Sequence, residues 1–283
     1  MPPLNRKITL NDLRAARDTG GKLAMLTCYD FLMARLMQEA GVPALLVGDS
    51  AASVILGHDS TLPAPLDFMI ELTAAVRRGA PLAMLVADMP FGSYQASDAQ
   101  GAANVMRTVK TSGCDCVKLE VGATHCSLIQ RLADAGVAVM AHMGLRPQSV
   151  GLLGGYRYQA RTAQQVDDLV ALALQMQAAG ASSLLLEAVP PEAAKAVVDV
   201  TNIPVIGCGA GPHCHGHVVV THDSLGLTAS RPKFVPQLAE LAGTLRAAFA
   251  RYADDVRDGR YPQAEHDYQM PADEAGKLKT AKS

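Results

Sequence analysis

Tryptophan is absent from this chain of 283 residues, and aromatic residues together make up only 4% of it. So few rings leave little for bases to stack on, which disfavours single-stranded nucleic acid as a partner. An excess of one charge sign is missing too. Lys and Arg number 25 against 27 Asp and Glu, a net charge of −2. That removes the basic patch that nucleic acid or an anionic membrane would require. Charge is scarce overall, at 18%, whereas hydrophobic residues reach 49%. A chain of this composition buries a sizeable core and is not disordered. The stretch from Val200 to His222 lacks Asp, Glu, Lys and Arg, but it holds Asn202, Pro204, four glycines and four histidines. It therefore does not read as a membrane-spanning helix. The opening segment MPPLNRKITLNDLRAARDTGG has no apolar core of a secretory signal. A cytoplasmic location is expected, where the six scattered cysteines read as reduced, small buried residues.

What is present is a recurrence of short apolar runs. They fall at Leu23–Cys28, Ala44–Val47, Leu82–Ala87, Cys116–Leu119, Val137–Ala141, Ser183–Leu186 and Pro204–Gly207. Continuous apolar character fits strands covered on both faces, as in a parallel sheet. Between them lie segments of helical period. Ser97 with Gln100, and Thr162 with Gln165, have capping-box spacing, while Gly113, Gly136 and Gly180 stand where helices should stop. An eighth strand is expected between Val218 and Leu227. Seven or eight βα units in roughly 250 residues favour an α/β fold of (βα)8 TIM-barrel type over an open sheet. Pro232 is read as opening a long amphipathic helix carrying Leu238, Leu241, Leu245, Phe249, Tyr252 and Val256, closed by Gly259. Residues 1–259 would then form one catalytic domain. Residues 260–283 would be a polar, extended tail.

In a barrel, chemistry is carried at the C-terminal ends of the strands. The residues just after the apolar runs are Asp30, Asp49, Asp88, Glu120, His142, Glu187 and Gly209. Acids in such apolar surroundings are costly to bury without a partner. Converging at a barrel mouth, they suit a hard divalent cation, Mg2+ above all where water and substrate oxygens complete the shell. Some could instead cap helices or pair with arginines. Lys118 stands two residues before Glu120, so in a strand both point to one face. It could pair with the acids or bind a substrate carboxylate or oxo group. His142 could hydrogen-bond a substrate oxygen or be a satisfied core residue.

The segments LLVGDS, LGHDSTLP, AAVRRGAP, VADMPFGSY, VKLE, AHMGLRPQSV, GGYRYQAR, LLLEAVP, IPVIGCGAG and RPKFV follow one another in order. Together they resemble the ketopantoate hydroxymethyltransferase family from about Ile8 to His266. The resemblance implies a (βα)8 barrel of the phosphoenolpyruvate/pyruvate type, Mg2+-dependent and assembled as a homodecamer. It implies transfer of a hydroxymethyl group from 5,10-methylenetetrahydrofolate to 3-methyl-2-oxobutanoate. Position by position, it makes Asp49, Asp88 and Glu120 the Mg2+-site acids. Ser50 would receive the substrate carboxylate, with Asp49, Asp88, Lys118 and His142 as further substrate contacts. Glu187 matches the proton acceptor.

Two segments depart from the family pattern. Ala52-Ser53 replace a usual Gly-Met pair, and His215 and His217 stand where Asp and Gln are usual. Three histidines and Cys214 within His213–His217 could bind zinc or copper, but their spacing is not that of a structural zinc site. A carbon–carbon lyase or phosphonopyruvate-type mutase of the same barrel group is one rival reading, although its Lys-Lys-Cys-Gly-type loop is missing here. An oligomeric paralogue of low turnover is the other.

Overall fold

The computed structural model describes residues 2–278. Eight strands close a parallel barrel in sequence order. They are β1 (Leu23–Thr27), β2 (Ala44–Val47), β3 (Met84–Asp88), β4 (Cys116–Glu120), β5 (Val139–Gly144), β6 (Ser183–Glu187), β7 (Val205–Cys208) and β8 (Gly216–Val219). The helices, in order, are α1 (Leu10–Thr19), α2 (Phe31–Glu39), α3 (Ala51–Val54), α4 (Leu66–Gly79), α5 (Asp98–Ser112) and α6 (Cys126–Asp134). They continue with α7 (Val150–Leu153), α8 (Ala163–Ala178), α9 (Pro191–Val200), α10 (Thr221–Ser224), α11 (Leu241–Arg257) and α12 (Ala272–Ala275). Among the described residues no helix is long and apolar enough to cross a membrane.

The expected caps are in place. Ser97 Oγ accepts the Gln100 N–H at 3.2 Å and Thr162 Oγ1 that of Gln165 at 3.3 Å. Gly113, Gly136 and Gly180 take left-handed conformations just past α5, α6 and α8. All six cysteines are free, and four of them are buried.

Strand periodicity divides the barrel interior into two halves. Met84, Val86 and Asp88 of β3 are alternate residues of one strand. Cys116, Lys118 and Glu120 of β4 follow the same alternation, as do Met140 and His142 of β5. The early members belong to an apolar cluster with Leu23, Met25, Leu185 and Ile206, joined from α1 by Leu13. The late members are the titratable residues. One sequence rule therefore sets an apolar floor beneath a polar mouth.

Two expectations are corrected. The eighth strand is Gly216–Val219 and not a segment after Val218; Thr221–Ser224 is a helical turn. The half-buried His217 interrupts the apolar signal there. The long helix begins at Leu241, not at Pro232. Pro236 lacks an N–H and pushes its predecessor out of helical geometry, so residues 232–240 do not join the helix. Instead Glu240 caps the helix by accepting the Gly243 N–H at 2.9 Å. The C-terminal segment is exposed throughout residues 260–278 but includes the short α12; residues 279–283 lie outside the described ones.

No helix separates β7 from β8. The chain returns directly, and His215 lies at the start of β7: its N–H donates to Val205 O at 2.8 Å, and its Nδ1 accepts the Val205 N–H at 3.0 Å. His217 pairs in register with Ala24 and Gly207. Both histidines thus belong to the lower end of the barrel wall, away from the mouth. Ala52 and Ser53 lie within α3.

Candidate active site

A cavity of about 130 Å³ opens at the C-terminal ends of the strands. Its lining includes Asp49, Ser50, Asp88, Lys118, Glu120, His142 and Glu187, every predicted site residue. The strand-end candidate outside it is Asp30, whose carboxylate caps α2 by accepting the Met33 N–H at 2.8 Å. Gly209 does not line it either.

Sheet register brings the pairs together. Asp88 lies beside Lys118 across β3–β4, Glu120 beside His142 across β4–β5, and Glu187 beside Cys208 across β6–β7. Lys118 Nζ stands 2.9 Å from Asp88 Oδ1 and 3.1 Å from His142 Nδ1. An ammonium has only donors, so His142 accepts at Nδ1 and carries its proton on Nε2. That Nε2 lies 3.3 Å from Glu187 Oε2, short of full hydrogen-bond alignment. Asp49 and Asp88 are joined through the Asp49 N–H, which donates to Asp88 Oδ2 at 2.9 Å.

Gln148 ties the acids together, and no strand-end rule could have found it. Its Nε2 donates to Asp49 Oδ2 at 2.9 Å, and its backbone N–H donates to Glu120 Oε2 at 3.0 Å. Tyr94 is a second unpredicted member: its hydroxyl donates to Gln148 Oε1 at 2.9 Å and accepts the Glu120 N–H at 3.0 Å. Tyr29 is a third, 2.8 Å from Ser50 Oγ through its hydroxyl. Gln148 and Tyr94 do lie within the segments AHMGLRPQSV and VADMPFGSY, but nothing in those letters says what they touch.

Glu187 is held by local strain. The next residue, Ala188, has φ 46, a left-handed conformation that costs a non-glycine residue on the order of 1 kcal/mol. Three backbone bonds enforce it: Ala188 N–H to Cys208 O, Gln159 N–H to Ala188 O, and Leu145 N–H to Glu187 O, each 2.8–2.9 Å. Gly144, at φ 87, leaves the room: a Cβ there would stand 2.4 Å from Glu187 O.

The electrostatics are unbalanced. The carboxyl groups of Asp49, Asp88, Glu120 and Glu187 face one ammonium, that of Lys118, and an imidazole. Burial drives the Asp88 carboxyl up to about 8, with Lys118 opposing and Asp49 adding to the rise. Burial likewise carries Glu120 to about 9, against the pull of Lys118. For Lys118, burial works against the charged form, but Asp88, Asp49 and Glu120 outweigh it and hold the ammonium protonated. Burial and Lys118 depress His142, which stays neutral. Glu120 Oε1 is buried without a hydrogen-bond partner. An orphaned carboxyl oxygen among crowded acids, whose ionised forms burial opposes, fits a hard divalent cation. Among the described residues no three His, Cys, Asp or Glu side chains form a ready-made cage.

Comparison with known proteins bears on the family and the fold. The sequence profile described as ketopantoate hydroxymethyltransferase matches residues 7–264. The 3-methyl-2-oxobutanoate hydroxymethyltransferase of Thermobifida fusca (strain YX) is 45% identical over 264 residues, covering 93% of this chain and 94% of that one. That of Desulfotalea psychrophila (strain LSv54 / DSM 12343) is 43% identical, covering 94% and 95%. Among solved structures, 2,3-dimethylmalate lyase, a member of the PEP mutase/isocitrate lyase superfamily, aligns with TM-score 0.59 at 19% identity, covering 95% and 96%. At that identity the likeness concerns the barrel alone.

Proposed function

Because this chain belongs to the ketopantoate hydroxymethyltransferase family, we propose that it transfers a hydroxymethyl group from 5,10-methylenetetrahydrofolate to 3-methyl-2-oxobutanoate. The product is 2-dehydropantoate (ketopantoate), made for pantothenate biosynthesis in the cytoplasm. The observation that carries the reading is the division of labour within one cavity. Glu187 is a partly open carboxylate, with 20% of its side chain exposed, whereas Asp88, Lys118 and Glu120 are deeply buried.

Asp49, Asp88 and Glu120 would hold Mg2+, directly or through water. When bound, Mg2+ supplies the positive charge that a 2-oxo acid chelates through its keto and carboxylate oxygens, easing proton loss from C3. Ser50 receives the substrate carboxylate through its N–H and hydroxyl, with Tyr29 holding that hydroxyl in place. Lys118, kept protonated by its carboxylate neighbours, faces the substrate oxygens. Glu187 takes the C3 proton, and neutral His142 steadies it from Nε2. The electron pair left on C3 forms a bond to the one-carbon unit, whose bonds to the folate nitrogens break. Water supplies the hydroxyl, and the C3 proton and the remaining water proton end on those nitrogens.

The deciding assay uses purified protein, 3-methyl-2-oxobutanoate, methylenetetrahydrofolate and Mg2+. Turnover should vanish with EDTA and return with excess Mg2+. Absence of folate-dependent turnover would overturn the reading. Indifference to EDTA would remove the metal from it.

Gln148 positions two of the acids without needing to touch substrate. Gln148→Leu should lower Mg2+ affinity about 10- to 100-fold, the usual cost of an outer-shell hydrogen-bond partner. Calorimetric titration measures it, and unchanged affinity would make Gln148 a packing residue only.

The protein is further proposed to work as a homo-oligomer, a decamer by family resemblance. Support comes from α11, which has no buried residue and leaves Phe249 66% and Tyr252 58% exposed. Apolar surface of that kind marks an association site. Phe249→Asp should reduce the assembly to smaller species in light scattering. A wild-type chain that runs as a monomer would contradict the proposal.

A further inference from the structure

Resting on the reading above, we propose that Asp223 and the neighbouring apolar wall seat the pterin head of the one-carbon carrier. Two sides of the active-site cavity differ in their lining. The acids and Lys118 account for one side of it. The other side, from β7 onward, is different in kind: Cys208, Val219, Val220, Pro232 and Phe234 form an apolar surface, and Asp223 is its one carboxylate.

Asp223 is preorganised. It sits in α10, which is pinned to the end of β1 by two bonds: Thr221 N–H to Thr27 Oγ1 at 3.0 Å and Thr221 Oγ1 to Thr27 O at 2.6 Å. The adjacent His222 ring packs on Tyr29, centroids 5.3 Å apart. Asp223 Oδ1 accepts from Thr228 Oγ1 at 2.7 Å, and no other hydrogen bond or ion pair engages its side chain among the described residues. One carboxylate oxygen is therefore left for a ligand.

The chemistry selects the ligand class. A carboxylate on an otherwise apolar wall calls for a flat, mostly apolar group with adjacent N–H donors. The aminopyrimidinone edge of a pterin presents such donors, and the remaining Asp223 oxygen can accept from that edge in a charge-assisted hydrogen bond. Phe234, 39% exposed on the same wall, offers a face or edge to the ring. Cys208 is in register with Glu187, so the wall runs from the proposed base to Asp223. A ring held by its pyrimidine edge at Asp223 turns its opposite side, where the one-carbon unit is carried, toward C3 of the oxo acid.

The test separates the two substrates. For Asp223→Asn, KM for methylenetetrahydrofolate should rise at least about tenfold, the scale of losing a charge-assisted hydrogen bond. The folate-independent exchange of the C3 hydrogen in heavy water should stay within about twofold, which also reports that the variant is folded. Phe234→Leu should act in the same direction. A tetrahydropterin without the benzoylglutamate tail should compete with methylenetetrahydrofolate, and its Ki should rise by the same factor in Asp223→Asn. Unchanged folate KM, lost C3 exchange, or a tetrahydropterin Ki that does not move would each overturn the proposal. Failure of the underlying reading looks different: the wild-type protein itself would show no folate-dependent turnover.

Discussion

Glu187→Gln is expected to slow exchange of the C3 hydrogen of 3-methyl-2-oxobutanoate in heavy water by about 10²-fold or more, the usual scale for a positioned base. Glutamine keeps the length and most of the hydrogen bonding of glutamate but does not accept the proton. The backbone that aims the side chain is untouched, because the Ala188 conformation and the Gly144 contact depend on main-chain atoms. Binding of the oxo acid should survive, since Asp49, Asp88, Glu120 and Ser50 lie elsewhere on the cavity wall. Exchange at the normal rate with binding intact would move the base elsewhere. Lys118 is a poor substitute, for it is held protonated by Asp88, Asp49 and Glu120. His142 is neutral, and its Nδ1 is taken by Lys118, so it too would need to rearrange first.

Asp49→Asn should weaken Mg2+ binding by more than the roughly 10- to 100-fold lost with an outer-shell partner, and turnover should fall with it. The change removes one charge from a crowded set of carboxylates while nearly conserving volume. Its backbone N–H would still donate to Asp88, and its amide oxygen could still accept from Gln148. The fold should therefore be little altered, which circular dichroism and the thermal midpoint can verify. Calorimetry reads the affinity. An unchanged Mg2+ constant would take Asp49 out of the metal site and leave Asp88 and Glu120 to explain any metal dependence.

The strand-end acids were legible because parallel strands are written as short apolar runs and a side-chain period of two carries each run into the residue that ends it. Asp49, Asp88, Glu120 and Glu187 follow from that rule alone, and so does the shared face of Lys118 and Glu120. Asp30 obeys the same rule yet caps a helix instead, because its own backbone neighbour, Met33 N–H, is the nearer partner. Asp223 escaped it because the polar His217 obscured where β8 lies. Gln148 and Tyr94 escaped for a different reason. They reach the acids from loops, and a loop's direction is set by distant backbone bonds, not by any local period. By itself, the sequence determined the barrel, the order of its units and the identity of the residues at its mouth, since these rest on periodicity and chemical type. Only the tertiary structure decided which of those residues touch. Register between strands pairs Asp88 with Lys118 and Glu120 with His142, and closure of the barrel brings Glu187 and Asp223 onto one cavity wall, through contacts between residues far apart in the chain.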